Sequence, residues 1–169
     1  MGHVITIGQT ESGKTILNKR LSHWYKKNGI GVVVLDVMRD PDWAADFLTD
    51  DAEQFLAFVK NPKKCLQCAL FIDEAGGTIP RYADAFGWLT TQSRHHGHVC
   101  HLITQRAQMV TPTIRNQCST LYIFSVNGKD AKIYAEDFNA PEALKAPTLP
   151  QGHCIKIQRF KSPQTLRMW

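Results

Sequence analysis

No apolar run in these 169 residues approaches the roughly 18 that a membrane-spanning helix requires. No internal repeat and no low-complexity segment interrupts the chain. "MGHVIT" places Gly2 and Thr6 as a myristoylation signal would, but no polybasic segment supplies the second membrane contact that stable anchoring takes, and the same residues are needed for a first strand. Neither sign of charge is scarce: 20 basic against 15 acidic residues leave +5, an excess that permits nucleic acid without requiring it. The basic share is largest at the end, where "KIQRFKSPQTLRMW" carries Lys156, Arg159, Lys161 and Arg167 with no acid and reads as a solvated tail.

The five cysteines are an odd number with no signal peptide before them, which points to free thiols in a reducing compartment. Cys65-Leu66-Gln67-Cys68 has zinc-like spacing, yet no second Cys-x-x-Cys follows. Candidates to complete a site lie in "HHGHVCH", His95 to His101; otherwise Cys68 begins a buried strand, and His95, His96 and His98 decorate a loop. The length suits one domain with a real core, expected to be 1–169, with the catalytic core over about 3–126 and an edge strand plus basic tail over 127–169.

What is present is phosphate chemistry. "ITIGQTESGKT" completes the pattern G-x-x-x-x-G-K-[ST], so Gly8, Gln9, Thr10, Glu11, Ser12, Gly13, Lys14 and Thr15 are expected to bind a nucleotide. Its glycines let the backbone approach phosphate oxygens without a Cβ in the way. Lys14 would reach the β- and γ-phosphates and Thr15 would put its hydroxyl on Mg²⁺. The context fits: His3–Ile7 is β-branched and short, and Leu17, Leu21 and Trp24 recur at helical spacing up to the stop at Asn28-Gly29.

Further along, "GIGVVVLDV", "CALFIDEAG", "HVCHLITQ" and "STLYIFSV" read as buried strands, and "GHCIKIQRF" as an edge strand. "DPDWAADFL", "DDAEQFLAFVKNP" and "YADAFGWLTTQSRHH" read as helices, Asp50 and Glu53 forming a capping box, and Thr111-Pro112 opens a short one. Trp43 reads as core, and Asp36 and Asp40 as the end of the second strand. Strands alternating with helices predict a three-layer α/β fold whose mainly parallel sheet binds its ligand at the carboxyl ends of the strands.

"LFIDE" ends a buried strand in two carboxylates. Asp73 suits the Walker B role of holding Mg²⁺, and Glu74 beside it suits activation of the attacking water, a need of hydrolases rather than small-molecule kinases. Gln105, at the end of "LITQ", can donate to a γ-phosphate or its water and accept with its carbonyl. A kinase would also want an arginine-rich lid, and none separates the strands that end in Gln105 and Val126.

In that order and at those separations, "GQTESGKT", "LFIDEAG", "SRHHGHVCHLITQRAQ" and "IRNQC" resemble the FtsK/HerA superfamily of DNA-pumping ATPases. Within it, the compactness is most similar to genome-packaging ATPases of tailless icosahedral viruses with an internal membrane. The resemblance implies a P-loop NTPase core of the RecA-like, additional-strand catalytic-Glu type, a homo-oligomeric, hexameric ring, ATP with Mg²⁺ at subunit interfaces, and double-stranded DNA in the pore. It also implies a place in the host cytoplasm or at a capsid vertex, beside a portal-like protein. Lys14 and Thr15 match the family's phosphate and metal ligands, Asp73 and Glu74 its Walker B pair, and Gln105 its sensor. Arg94 lies where the family places its trans-acting arginine finger, with Arg106 as competitor. DNA would be gripped without base reading through Arg81 in "AGGTIPRY" or through Lys60, Lys63 and Lys64. A filamentous-phage or conjugation-type ATPase is the rival within the same core, and a nucleotide-dependent scaffold is disfavoured because it has no use for a water-activating pair.

Overall fold

The structure is a computed structural model that describes residues 2–78 and 83–169. Eight strands among these residues form one sheet in the order β3-β2-β4-β5-β1-β6-β7-β8. They are β1 (His3–Ile7), β2 (Val32–Leu35), β3 (Phe47–Thr49), β4 (Ala69–Ile72), β5 (Val99–Thr104), β6 (Cys118–Ile123), β7 (His153–Gln158) and β8 (Gln164–Arg167). The first six run parallel, and β7 and β8 are antiparallel. Every residue of β1, β2, β4 and β5 is buried, which is why these strands are apolar without alternation: both faces of a parallel sheet are covered.

The helices are α1 (Lys14–Lys27), α2 (Ala52–Val59), α3 (Ala75–Thr78), α4 (Ala83–Thr91), α5 (Pro112–Asn116) and α6 (Gly128–Asp137). One face of the sheet packs Phe55, Phe86, Leu89 and Tyr134 against Ile7, Leu70 and Leu102. On the other face Tyr25 of α1, Trp43 and Phe71 make edge and tilted ring contacts, so Trp43 is core as expected. Thr111 caps α5 by accepting from the Ile114 N–H, with Pro112 in the first turn.

Several sequence expectations are corrected. "DPDWAADFL" is not a helix. Asp36 accepts from the N–H groups of Met38 and Asp40 and from Trp43 Nε1, which winds the stretch into turns, and its end pairs as β3 beside Val33–Leu35. The cap of α2 is Asp51, whose carboxylate accepts from Glu53 and Gln54 N–H; Asp50 does not take that role. The strand in "GHCIKIQRF" is not an edge, because β8 covers it, and residues 127–169 also hold α6. Nor is the basic end a loose tail: Arg159 donates to the carbonyls of Cys118 and Asp137 at 3.2 Å each.

Candidate active site

β5 lies between β1, which leads into the phosphate loop, and β4, which leads into the paired carboxylates. Two registers level the strand tips. Ile7 stands beside Thr104, and Ile72 beside Leu102, so continuing the registers by one step puts Gly8 next to Gln105 and by two steps puts Glu74 next to Thr104. Three chemically distinct elements therefore meet at one carboxyl edge.

The loop from Gly8 to Thr15 is anchored by Gly8 N–H to Thr104 O at 3.4 Å and Gln9 N–H to Ser125 O at 2.9 Å. A Cβ at Gly8 would stand 2.6 Å from Phe124 Cβ, and Gly13 takes φ 110°, in the left-handed region that side chains disfavour. Both glycines are required by geometry. Lys14 is buried, and burial lowers its pKa against the opposing pull of Glu74 and Asp73. Its Nζ donates to Gln9 O at 2.7 Å, using one of three ammonium donors. The buried Ser12 Oγ has no protein partner. A cradle lined by backbone N–H groups, an ammonium and an unpartnered hydroxyl fits a polyphosphate.

Burial pushes the Asp73 carboxyl up to about 6, eased by the Glu74 N–H and reinforced by Asp36. That N–H donates to Asp73 Oδ1 at 2.9 Å. Glu74 itself has φ 51°, an unfavourable conformation for a residue with a side chain, of the kind that gathers at functional sites. Gln105 Nε2 donates to Glu74 Oε1 at 2.9 Å. The two strand-tip side chains are thus joined directly.

Residues not singled out in the sequence hold this arrangement. Asp130 on α6 accepts from Ala107 N–H at 3.1 Å, and Arg115 Nη1 donates to the carbonyls of Ala107 and Val110 at 3.1 and 2.6 Å. Together they clamp the segment following Gln105. Arg115 stands in the "IRNQC" motif, which marked it without showing its role. The carboxyl terminus braces the phosphate loop: the Trp169 ring would meet a Gly13 Cβ at 3.3 Å, Gly152 N–H donates to Ser12 O at 3.2 Å, and Gln151 Nε2 donates to Glu11 O at 3.0 Å.

Arg106 pairs with Asp130 at 3.8 Å and lines a cavity of about 190 Å³ with Gln9, Thr10 and Gln105. It therefore stands beside the phosphate loop of its own chain. The Arg94 backbone lies in the 3-10 turn Ser93–His96 before β5, at the end of the sheet opposite the phosphate loop. Lys63 and Lys64 are exposed in the turn before β4, also at the opposite end, with Lys60 over the Trp88 ring. Arg81 lies outside the described residues. His98, expected to decorate a loop, is instead buried, its Nδ1 accepting from Cys68 N–H at 3.1 Å.

No protein-family model and no curated protein matches the sequence. Among solved structures, the genome packaging NTPase B204 from Sulfolobus turreted icosahedral virus 2, in complex with AMPPCP, is 20% identical. It superposes with a TM-score of 0.80 over 98% of this chain and 97% of that one. The fold is that of the packaging NTPase. The pCW3 conjugation coupling protein TcpA, with ATPγS, is 16% identical with a TM-score of 0.74 over 98% of this chain and 59% of TcpA. VirB4 of Thermoanaerobacter pseudethanolicus is 9% identical with a TM-score of 0.70 over 98% and 88%. These likenesses agree with the FtsK/HerA resemblance of the sequence and with its P-loop fold class.

Proposed function

We propose that this chain, as one ATPase domain over 1–169, is an ATP-hydrolysing subunit of a homo-oligomeric ring that moves double-stranded DNA, most specifically a viral genome-packaging motor. The observation that carries the proposal is the Gln105–Glu74 hydrogen bond across adjacent strand tips beside the phosphate loop. A pocket that only held nucleotide would gain nothing from it.

The loop amides and Lys14 hold the terminal phosphates. Glu74 takes the proton of the attacking water, and Gln105 orients that water and registers the loss of the phosphate. Thr15 and Asp73 would hold Mg²⁺, which when bound neutralises charge on the β- and γ-phosphates. Arg94 of a neighbouring subunit supplies the transition-state cation, since its turn lies too far around the sheet to serve its own loop. Arg106, tethered to Asp130 beside its own nucleotide, suits that role less well. Lys63, Lys64 and Arg81 contact DNA phosphates without reading bases, as a pump must. On this reading the protein acts at a capsid vertex or in the host cytoplasm, with a portal-like protein as docking partner; the likeness to a genome packaging NTPase supports the packaging role. No helix among the described residues is long and apolar enough to cross a membrane.

The likeness to TcpA and VirB4 supports a second reading, a conjugation-type ATPase recruited to a membrane protein. The deciding measurement is ATPase rate per subunit against protein concentration, with and without duplex DNA. The motor reading expects the rate to climb as rings form and to climb further with duplex of any sequence. A rate flat in both variables would overturn it.

A further inference from the structure

At the end of the sheet opposite the nucleotide loop, the turn before β4 and the turn before β5 are sewn together. Gln67 N–H donates to His96 O at 3.4 Å, Val99 N–H to Cys68 O at 3.0 Å, and Cys68 N–H to His98 Nδ1 at 3.1 Å. The crossing point carries three soft ligands. Cys65, Cys68 and His98 are each at most 5% exposed, and their ligand atoms all lie within 4.8 Å of one another. None of the three takes part in the nucleotide chemistry.

From these positions we infer that Cys65, Cys68 and His98 bind a zinc ion that clips the amino ends of β4 and β5 together. A tetrahedral zinc with two thiolates and an imidazole wants its ligand atoms about 3.8 Å (S···S) and about 3.5 Å (S···N) apart. Reaching that geometry takes side-chain rotation, in which His98 turns Nδ1 from the Cys68 N–H to the metal. A cavity of about 120 Å³ adjoins it, lined in part by Cys65, His98, His96 and Trp88, and supplies the fourth ligand from water or the His96 ring. Two thiol protons leave to solvent as the metal enters, so the site holds a divalent cation with two thiolates.

A plain core cluster does not account for this grouping as well. Two cysteines three apart on a turn, facing a histidine thirty residues on, is a ligand spacing, whereas Cys100 and Cys118 show how this protein buries a cysteine as ordinary packing within strands. The position also has a mechanical use. β4 ends in Asp73 and Glu74 and β5 in Gln105, so a clip at their starts fixes the register in which the two tips meet.

The test uses zinc itself on the full chain. Protein desalted from micromolar zinc should carry one zinc per chain by elemental analysis, with none in Cys65→Ser/Cys68→Ser and at least a tenfold weaker affinity in His98→Ala. Cys154→Ser, which alters a buried thiol in β7, should retain it. Cobalt replacement in the unaltered protein should show thiolate-to-metal charge transfer and tetrahedral d–d bands, a readout that does not depend on any variant folding. Unaltered protein free of zinc, including protein in which Cys65 and Cys68 have joined as a disulfide, would overturn the inference. So would an octahedral cobalt spectrum, or zinc retained by the double serine variant.

Discussion

Gln105 Nε2 donates to Glu74 Oε1 across 2.9 Å, joining the tips of β5 and β4. In the proposed mechanism the base would therefore be held by the residue that senses its product. Glu74→Gln preserves the shape of that contact and removes the proton acceptor, so ATP affinity should persist while kcat falls by about 10²–10⁴-fold. Gln105→Ala should also spare binding and lower kcat, by roughly 10²-fold, because one oriented donor is lost. Equilibrium nucleotide binding together with single-turnover hydrolysis checks both, and normal turnover in Glu74→Gln would remove Glu74 from the chemistry.

The Asp73 carboxyl, raised to about 6 by burial, gives the site a pH signature. Its folded value exceeds the ordinary 3.8, so the protonated group favours the folded state. That contribution is fully present below about 4 and is lost as pH rises through about 6, an effect on the order of 2 kcal/mol in nucleotide-free protein. Mg²⁺ has the opposite preference, since it requires the carboxylate. Mg·ATP affinity should therefore weaken about tenfold per unit as pH falls below 6, and Asp73→Asn should abolish both the stability slope and the metal dependence. Thermal melts from pH 4 to 7, with and without Mg·ATP, measure the two together.

If Arg94 acts on a neighbour's nucleotide, two dead proteins should revive each other. Arg94→Ala and Glu74→Gln are each expected to be nearly inactive alone. A mixture creates interfaces at which an intact Glu74 faces an intact Arg94, so a substantial fraction of ATPase activity returns. A mixture as inactive as its components would return Arg94 to the ordinary surface. Arg106→Ala, altered within its own site, should give no such rescue with Arg94-intact partners that lack Glu74.

Trp169 lies against Gly13 and Gly152. Its half-exposed ring covers the back of the phosphate loop, and Trp169→Ala should cost about 1–2 kcal/mol. Because the lost contact is with the loop, nucleotide affinity should fall along with thermal stability. The difference in intrinsic fluorescence between the unaltered protein and Trp169→Ala on nucleotide addition separates this ring from the other three tryptophans.

The phosphate loop, the carboxylate pair and the sensor were legible because each follows a strand whose apolar residues are contiguous, a pattern that a sheet covered on both faces imposes on single sequences. β3 was not legible. Phe47–Thr49 is too short to show a period, and the aspartates and proline before it mimic a helix start until Asp36 is seen to bind Met38, Asp40 and Trp43. α6 buries Ala131 and Tyr134, which with its C-cap Phe138 recur at helical spacing, a signal absent from the sequence reading of residues 127–169. What no local pattern reveals is the long-range bracing. Gln151 reaches Glu11 across 140 positions, and His98 reaches Cys68 across 30. Only the sheet order brings such partners together.

Strand β5 is six buried residues, about 20 Å of stiff backbone, running from the Arg94 turn to Gln105. If Arg94 acts across a ring interface as proposed, the same rod would touch two different fuel sites: its own at one tip, the next subunit's at the other. A slight axial slide provoked by phosphate departure would arrive next door as a change in finger position, so sequential firing around the circle could be wired through a single strand instead of through any hinge.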